Sequence, residues 1–198
     1  MKRIVQPPLA GIVLAGGLSS RMGRDKAMLP WGDSDLLHTV LDRLAPVCSE
    51  LIVISNVPRV IARQGVRVVA DQYPQCGPLA GMHAGLLAAE AEYSFITACD
   101  MPFLNTAVIA FIAAVAAGYH AAIPFIDGYY NPLHAVYHRH CLTWIEALLV
   151  AGDYRVLDFY PNISLRQVSE LELRQLDPEL KTLCNINTPA DFCKGKLK

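Results

Sequence analysis

The chain has 198 residues, which is enough for one domain with a full hydrophobic core, and we expect a single domain over residues 1–198. Apolar residues make up 53% of it and the formal net charge is −1, so neither extensive disorder nor a basic, nucleic-acid-binding surface is expected. The six cysteines show no C-x-x-C spacing and the apolar stretches are too short to span a bilayer, which favours a cytoplasmic protein with reduced thiols and no membrane partner.

The first predicted element is a strand at Gly11–Leu14, a continuous apolar run typical of a strand that is buried on both faces. Strands and helices alternate after it in the order β-α-β-β-α-β-α-β. This order predicts an α/β fold of three layers, in which helices flank a mostly parallel central sheet. The other strands of this part are predicted at 51–54, 66–70, 94–98 and 121–125, and its helices at 36–44, 79–90 and 105–117.

The pattern becomes less regular beyond Ile126. Strands are predicted at 133–137 and 163–168, and helices at 143–150 and 154–159. A last helix is expected to start near Thr188, because Thr188, Pro189 and Asp191 suit the N-cap, N1 and N3 positions.

The loop after the first strand is rich in glycine and cations. Gly16 and Gly17 let backbone N–H groups approach an anion closely, and Arg21 and Lys26 can neutralise its charge. The loop is not a P-loop, since five residues separate Gly17 from Gly23 and no Lys-Ser or Lys-Thr pair follows. The dinucleotide pattern G-x-G-x-x-G is absent as well. A phosphate-binding loop of another kind is therefore predicted.

Polar residues also follow three other predicted strands. Ser55 and Asn56 can read a base or ribose, Asp71 follows the third strand, and Asp100 follows the fourth. Ligands of open α/β sheets bind beyond the carboxyl ends of the strands, and a carboxylate there is a natural Mg²⁺ ligand. The structural alternative for a lone aspartate at such a place is a helix cap or a loop cap.

Five segments, in this order along the chain, resemble the motifs of the molybdenum cofactor guanylyltransferases (MobA). The first is the L-A-G-G-x-S-x-R-M-G-x-D-K loop, and the others resemble the G-P-L-A-G, C-D-x-P, P-L-x-A-x-Y and N-x-N-T-P motifs. These segments are Leu14–Lys26, Gly77–Gly81, Thr97–Pro102, Asn131–Tyr137 and Asn185–Pro189. From the first to the last, they span most of the chain.

The resemblance implies a Rossmann-like nucleotidyltransferase that uses GTP and Mg²⁺. It would transfer GMP to molybdenum-molybdopterin and release diphosphate, forming the guanine dinucleotide cofactor. Residues 1–125 would then bind the nucleotide and residues 126–198 the acceptor. Proteins that carry molybdopterin, and the molybdoenzymes that accept the product, are further candidate partners.

The resemblance also implies roles for individual residues. Arg21, Lys26 and Asp100 would be catalytic, with Lys26 on the phosphates and Asp100 as the Mg²⁺ ligand. The family's base-contacting asparagine aligns with Ser55, and Asn56 lies one position later. The implied nucleotide-binding residues are Leu14, Ala15, Gly16, Gly17, Lys26, Ser55, Asn56, Asp71, Gly77, Pro78, Leu79 and Asp100. Asn185 and Asn187 would contact the acceptor, and the structural alternative for them is a turn before the last helix.

Two alternatives to this function stay open. A related nucleotidyltransferase would use CTP or another phosphate acceptor, but related cytidylyltransferases carry L-A-A-G where this chain has Gly16, which favours guanine by analogy. A non-catalytic nucleotide-binding protein is the second alternative. Such a protein is expected to have lost Lys26 or Asp100, and both are present.

Overall fold

The structure is a computed structural model that describes residues 8–16, 26–58 and 61–186. Its strands are β1 (Leu9–Leu14), β2 (Pro30–Trp31), β3 (Ser34–Asp35), β4 (Glu50–Ile54), β5 (Val66–Val69), β6 (Tyr93–Ala98), β7 (Ala121–Ile126), β8 (Tyr129–Tyr130), β9 (His134–His138) and β10 (Leu165–Ser169). Its α-helices are α1 (Leu36–Leu44), α2 (Gly77–Ala88), α3 (Thr106–Val115), α4 (Leu142–Ala151) and α5 (Glu170–Arg174). Short 3₁₀ helices lie at Lys26–Met28, Arg139–Cys141, Val156–Asn162 and Lys181–Leu183.

The main sheet has the strand order β10-β7-β9-β6-β1-β4-β5, and β8 pairs with the end of β7. Strand β1 lies in the centre, parallel to both β4 and β6. Strand β9 is antiparallel to its neighbours β6 and β7, which makes the sheet mixed but mostly parallel. The carboxyl ends of β1, β4, β5 and β6 therefore lie at one edge of the sheet, as the sequence predicted.

Helices cover both faces of the sheet. One core lies under α1, α3 and α5, where α1 contributes Leu37, Val40, Leu41 and Leu44. The other lies under α2 and α4 and contains Ile12, Leu14 and Ile96 from the central strands. All six residues of β1 are buried, so the apolar run read as a two-sided buried strand is confirmed.

Several helices begin at capping residues that the sequence contains. Asp35 caps α1 by accepting a hydrogen bond from the His38 amide, and Asn105 caps α3 by accepting one from the Ala107 amide. The helix expected at 154–159 is wrong in type, since the chain forms a 3₁₀ helix at Val156–Asn162, with Pro161 inside it. The helix expected from Thr188 lies outside the described residues.

Helix α2 packs very closely on the central strands. An added Cβ at Gly81 would lie 3.0 Å from Leu14 Cδ2, and one at Gly85 would lie 2.5 Å from Ile12 Cγ2. The absence of side chains at these two positions therefore lets α2 lie directly against β1.

We expect Gly85→Ala to destabilise the protein by about 1–2 kcal/mol. The new methyl group would overlap the rigid, β-branched side chain of Ile12, and overpacking of this kind costs about 1–3 kcal/mol, more than the gain of about 1 kcal/mol in helix propensity. Gly81→Ala is the matched control, because its close contact is with the flexible end of Leu14 and its distance of 3.7 Å from Ile54 Cγ2 is ordinary van der Waals contact. Urea unfolding measures both, and equal stabilities of the two variants would contradict the packing argument.

No helix in the described ranges has the length and apolar character needed to cross a bilayer. The five cysteines in these ranges form no disulfide bond. These are Cys48, Cys76, Cys99, Cys141 and Cys184.

Candidate functional site

The predicted site residues converge because four parallel strands end side by side. The residue after each of the strands β1, β4 and β6 makes one further backbone hydrogen bond to a neighbouring strand. Ala15 donates its amide to Ile54 O (2.9 Å), Cys99 donates to Leu14 O (3.1 Å), and Ser55 donates to Val69 O (3.0 Å). The residues that follow these bonds, Gly16, Asn56 and Asp100, are therefore held at one edge by backbone geometry.

Lys26 and Asp100 form the centre of this edge. Lys26 begins the 3₁₀ helix after the predicted phosphate loop, and its Nζ lies 2.6 Å from Oδ2 of Asp100. Only 19% and 14% of the two side chains are exposed. The other carboxylate oxygen, Asp100 Oδ1, is buried and has no hydrogen-bond partner among the described residues. An orphaned, charged oxygen of this kind suits a hard divalent cation such as Mg²⁺.

A second pair joins the ends of β4 and β5. Asn56 Nδ2 donates to Asp71 Oδ2 (2.7 Å), and the Asp71 amide donates to Asn56 Oδ1 (3.0 Å). Asn56 is exposed, whereas Ser55 is buried and its hydroxyl donates to Val57 O within a tight turn. Of the two candidates for the base-contacting position, Asn56 thus presents its side chain to solvent and Ser55 does not.

The segment Gly77–Leu79 forms the first turn of α2. Gly77 has φ +69°, a left-handed conformation that favours glycine, and Pro78 occupies the first turn as predicted. Cys76 gives this helix no side-chain cap, and the exposed Gly77 offers its amide at the start of the helix, a property that suits a phosphate. Leu79 is fully buried in the core and is not exposed to a ligand.

The described residues around Gly16 leave room for a side chain at this position. Leu14 and Ala15 are buried, but Gly16 is exposed, and among the described residues an added Cβ there would have only Ile54 O within 4.0 Å. The predicted site residues Gly17, Arg21 and Asn187 lie outside the described residues.

The last described segment of the chain lies against the Asp100 loop. Ile186 donates its amide to the backbone oxygen of Asp100 (2.9 Å). Asn185, one of the two predicted acceptor residues, is exposed and directly precedes this bond. The structure therefore brings the predicted acceptor-binding tail next to the predicted metal ligand, although the two are far apart in sequence.

The family of the chain follows from comparison with known sequences. The sequence model of the MobA-like NTP transferase domain matches residues 11–167. The chain belongs to this family. It is a nucleotidyltransferase.

Individual relatives agree with the family assignment. A "Probable molybdenum cofactor guanylyltransferase" of Pelotomaculum thermopropionicum is 37% identical over 94% of this chain and 91% of its own. A molybdenum cofactor guanylyltransferase of Desulfosudis oleivorans is 35% identical over 95% of this chain and 94% of its own. The match to the family model contains four of the five segments that resemble the MobA motifs, and the fifth, Asn185–Pro189, lies beyond residue 167.

Solved structures confirm the nucleotidyltransferase fold. The molybdopterin-guanine dinucleotide biosynthesis protein A of Archaeoglobus fulgidus has a TM-score of 0.83 and 26% identity, over 95% of this chain and 97% of that one. A cytidylyltransferase of Thermus thermophilus that acts on 2-C-methyl-D-erythritol 4-phosphate has a TM-score of 0.71 at 17% identity, which shows a shared fold alone.

This MobA-like chain holds its tail through residues that the sequence did not single out. Thr182 Oγ1 accepts a hydrogen bond from the Asn105 amide (3.1 Å) and lies 3.3 Å from His134 Nε2, and the Thr182 amide donates to Asp177 Oδ2 (2.7 Å). These bonds tie the tail to Asn105, at the end of the Asp100 loop, and to β9. A single hydroxyl between Lys181 and Leu183 forms no sequence pattern, so only the structure could reveal this role.

The burial of His134 predicts that the stability of this MobA-like fold depends on pH. It is fully buried with its ring against Phe95 (5.0 Å between centroids), and burial lowers the pKa of its imidazole to about 3. The unfolded chain therefore binds a proton that the folded chain does not as the pH falls below about 6.5.

Between pH 7 and pH 5, we expect His134 to reduce the free energy of unfolding by about 2 kcal/mol. Urea unfolding of the wild type and of His134→Gln is measured at both pH values. The contribution of His134 is the loss of unfolding free energy of the wild type between pH 7 and pH 5 minus the loss of the variant. An identical pH dependence of the two proteins would contradict it, whatever the stability of the variant at pH 7.

Proposed function

We propose that this chain transfers GMP from GTP to molybdenum-molybdopterin, forming the molybdopterin guanine dinucleotide cofactor and diphosphate. The observation that carries the proposal is the pairing of Lys26 with Asp100 at the carboxyl edge, between the end of β1 and the tail that contains Asn185. This arrangement supports the proposal, because a cation that suits a phosphate, a carboxylate that suits a metal ion and the predicted acceptor segment lie side by side. The names of the relatives at 35–37% identity support the same reaction.

The chemistry needs positioning and charge more than proton transfer. The terminal phosphate of the pterin is already an anion and attacks the α-phosphorus of GTP, while the bond from that phosphorus to the bridging oxygen of diphosphate breaks. No protein general base is required. Lys26 and the Gly77 amide at the start of α2 stabilise the charge that develops on the phosphate oxygens. When bound, Mg²⁺ supplies Lewis-acid stabilisation of the same charge, and Asp100 is the residue that would hold it.

The base and ribose lie beside the ends of β4 and β5 in this proposal. The bonds between Asn56 and Asp71 fix both side chains in place before a ligand arrives, which lowers the entropy lost on binding. Asn56 then contacts the base through its exposed amide group. Ser55 acts indirectly, because its hydroxyl holds the turn that presents Asn56.

The acceptor lies on the other side of Asp100, against Asn185. Partners of the reaction are a protein that delivers molybdopterin and the molybdoenzymes that receive the product, and the reaction takes place in the cytoplasm. Diphosphate release measured with GTP and Mg²⁺ tests the reaction. It should require a molybdopterin-loaded acceptor, and release that is independent of the acceptor would contradict transfer to it.

Gly16 offers a test of the preference for GTP over CTP. Because an added Cβ would have only Ile54 O within 4.0 Å in the described part of the chain, Gly16→Ala should fold and unfold like the wild type. We expect it to lower kcat/KM for GTP relative to CTP by about tenfold, as the methyl group would occupy space that the guanine nucleotide approaches. Assays of both nucleotides on both proteins measure this ratio. A wild type that prefers CTP would favour the cytidylyltransferase alternative.

A further inference from the structure

The ion pair between Lys26 and Asp100 joins two groups that need different partners in the proposed reaction. Lys26 serves the phosphates of the nucleotide, and Asp100 serves a divalent cation. In the structure each is bonded to the other, with Nζ 2.6 Å from Oδ2, in a place where less than a fifth of either side chain is exposed. Limited exposure reduces solvent screening, so charges near this pair act strongly on each other.

A divalent cation bound to Oδ1 of Asp100 would be separated from the Lys26 ammonium group, which is bound to Oδ2, by a single carboxylate group. The carboxylate carries a single negative charge, which Lys26 already balances. The described residues contain no cluster of three His, Cys, Asp or Glu side chains that could hold a metal ion. The described residues thus provide too few ligands to hold a divalent cation against repulsion by the Lys26 ammonium group. Mg²⁺ commonly completes its coordination with substrate phosphates.

We infer that Lys26 makes metal binding at Asp100 conditional on the nucleotide. The negatively charged phosphates attract the ammonium group of Lys26, relieve its repulsion of the metal and supply the missing oxygen ligands. Metal and nucleotide therefore bind cooperatively, and the metal alone binds weakly. This inference rests on the proposed function, because that function assigns the phosphates to Lys26 and the metal to Asp100.

Titration with Mn²⁺ in the absence of nucleotide tests the inference, with free Mn²⁺ measured by electron paramagnetic resonance. We expect Lys26→Met to bind Mn²⁺ at least about tenfold more tightly than the wild type, because it removes the repelling charge. Lys26→Arg keeps a cation and should bind as weakly as the wild type. Lys181→Met removes a lysine from a surface ion pair with Glu179 and is the matched control, with no gain expected.

The gain should disappear when Asp100→Asn is combined with Lys26→Met. Equal Mn²⁺ affinities of wild type and Lys26→Met would overturn the inference, and so would a gain that survives Asp100→Asn. Thermal unfolding of each variant shows whether it is folded, and Lys26→Gln replaces Lys26→Met if the latter is not. Because this measurement needs no turnover, a protein that gains Mn²⁺ affinity yet transfers no GMP would contradict the proposed function alone.

Discussion

Asp100→Ala should lower the rate of GMP transfer at least about a thousandfold, because it removes the carboxylate that holds the divalent cation. The backbone bond from Ile186 to Asp100 does not involve the side chain, so the tail should stay in place. The loss should therefore appear in kcat rather than in folding. Diphosphate release at saturating GTP and acceptor measures it.

Asp100→Asn is the sharper companion variant, since its amide oxygen can still accept a hydrogen bond from Lys26 while the negative charge is lost. We expect nearly the same loss of activity. Asp42→Asn, which removes a carboxylate from a surface pair with Arg63, should remain as active as the wild type. Turnover like that of the wild type by Asp100→Ala would remove the metal-binding role from this residue.

Lys26→Ala should reduce transfer by about 10²–10³, which corresponds to a loss of about 3–4 kcal/mol of transition-state stabilisation. Lys26 follows the predicted phosphate loop directly, and its side chain already points to the carboxyl edge, where it bonds to Asp100. We expect kcat to fall more than the affinity for GTP, because charge on the phosphate oxygens increases as the reaction proceeds.

Lys26→Arg separates charge from shape in the same assay. Arginine keeps the positive charge but replaces a compact ammonium with a broad planar group, so it should restore only part of the activity. Full activity of Lys26→Ala, in a variant that unfolds like the wild type, would show that another group stabilises the negative charge on the phosphate oxygens.

Much of this fold could be predicted because its strands carry unambiguous local signals. The run at Gly11–Leu14 has no polar interruption, which specifies a strand buried on both faces, and turn residues mark its end. The position of β9 could not be predicted in the same way. Its antiparallel insertion between β6 and β7 depends on pairing with distant segments, and its sequence pattern does not contain that information.

Helix α5 was missed although the sequence contained a signal for it. Ser169 and Glu172 form a capping box, in which each side chain bonds to the backbone amide of the other. The helix is only five residues long, too short to show a hydrophobic period, so the cap is its main local signature.

Individual residues of the candidate site could be predicted from the sequence, but the contacts between these residues could not. Asp100 and Lys26 stood out because one followed a strand and the other a glycine-rich loop. Their ion pair spans 74 positions of sequence, and the contact between Ile186 and Asp100 spans a longer interval, so neither left a local pattern. The choice between Ser55 and Asn56 likewise depended on a turn geometry that residue types alone do not determine.

The most direct test of the proposed function is the mass of the product. The protein is incubated with equal concentrations of GTP and CTP, Mg²⁺ and a molybdopterin-loaded acceptor, and the pterin product is identified by mass spectrometry. We predict the mass of molybdopterin joined to GMP through a diphosphate bridge, with one diphosphate released per product. A pterin joined to CMP, or a pterin that stays unmodified in the presence of folded protein, would contradict guanylyl transfer to molybdopterin.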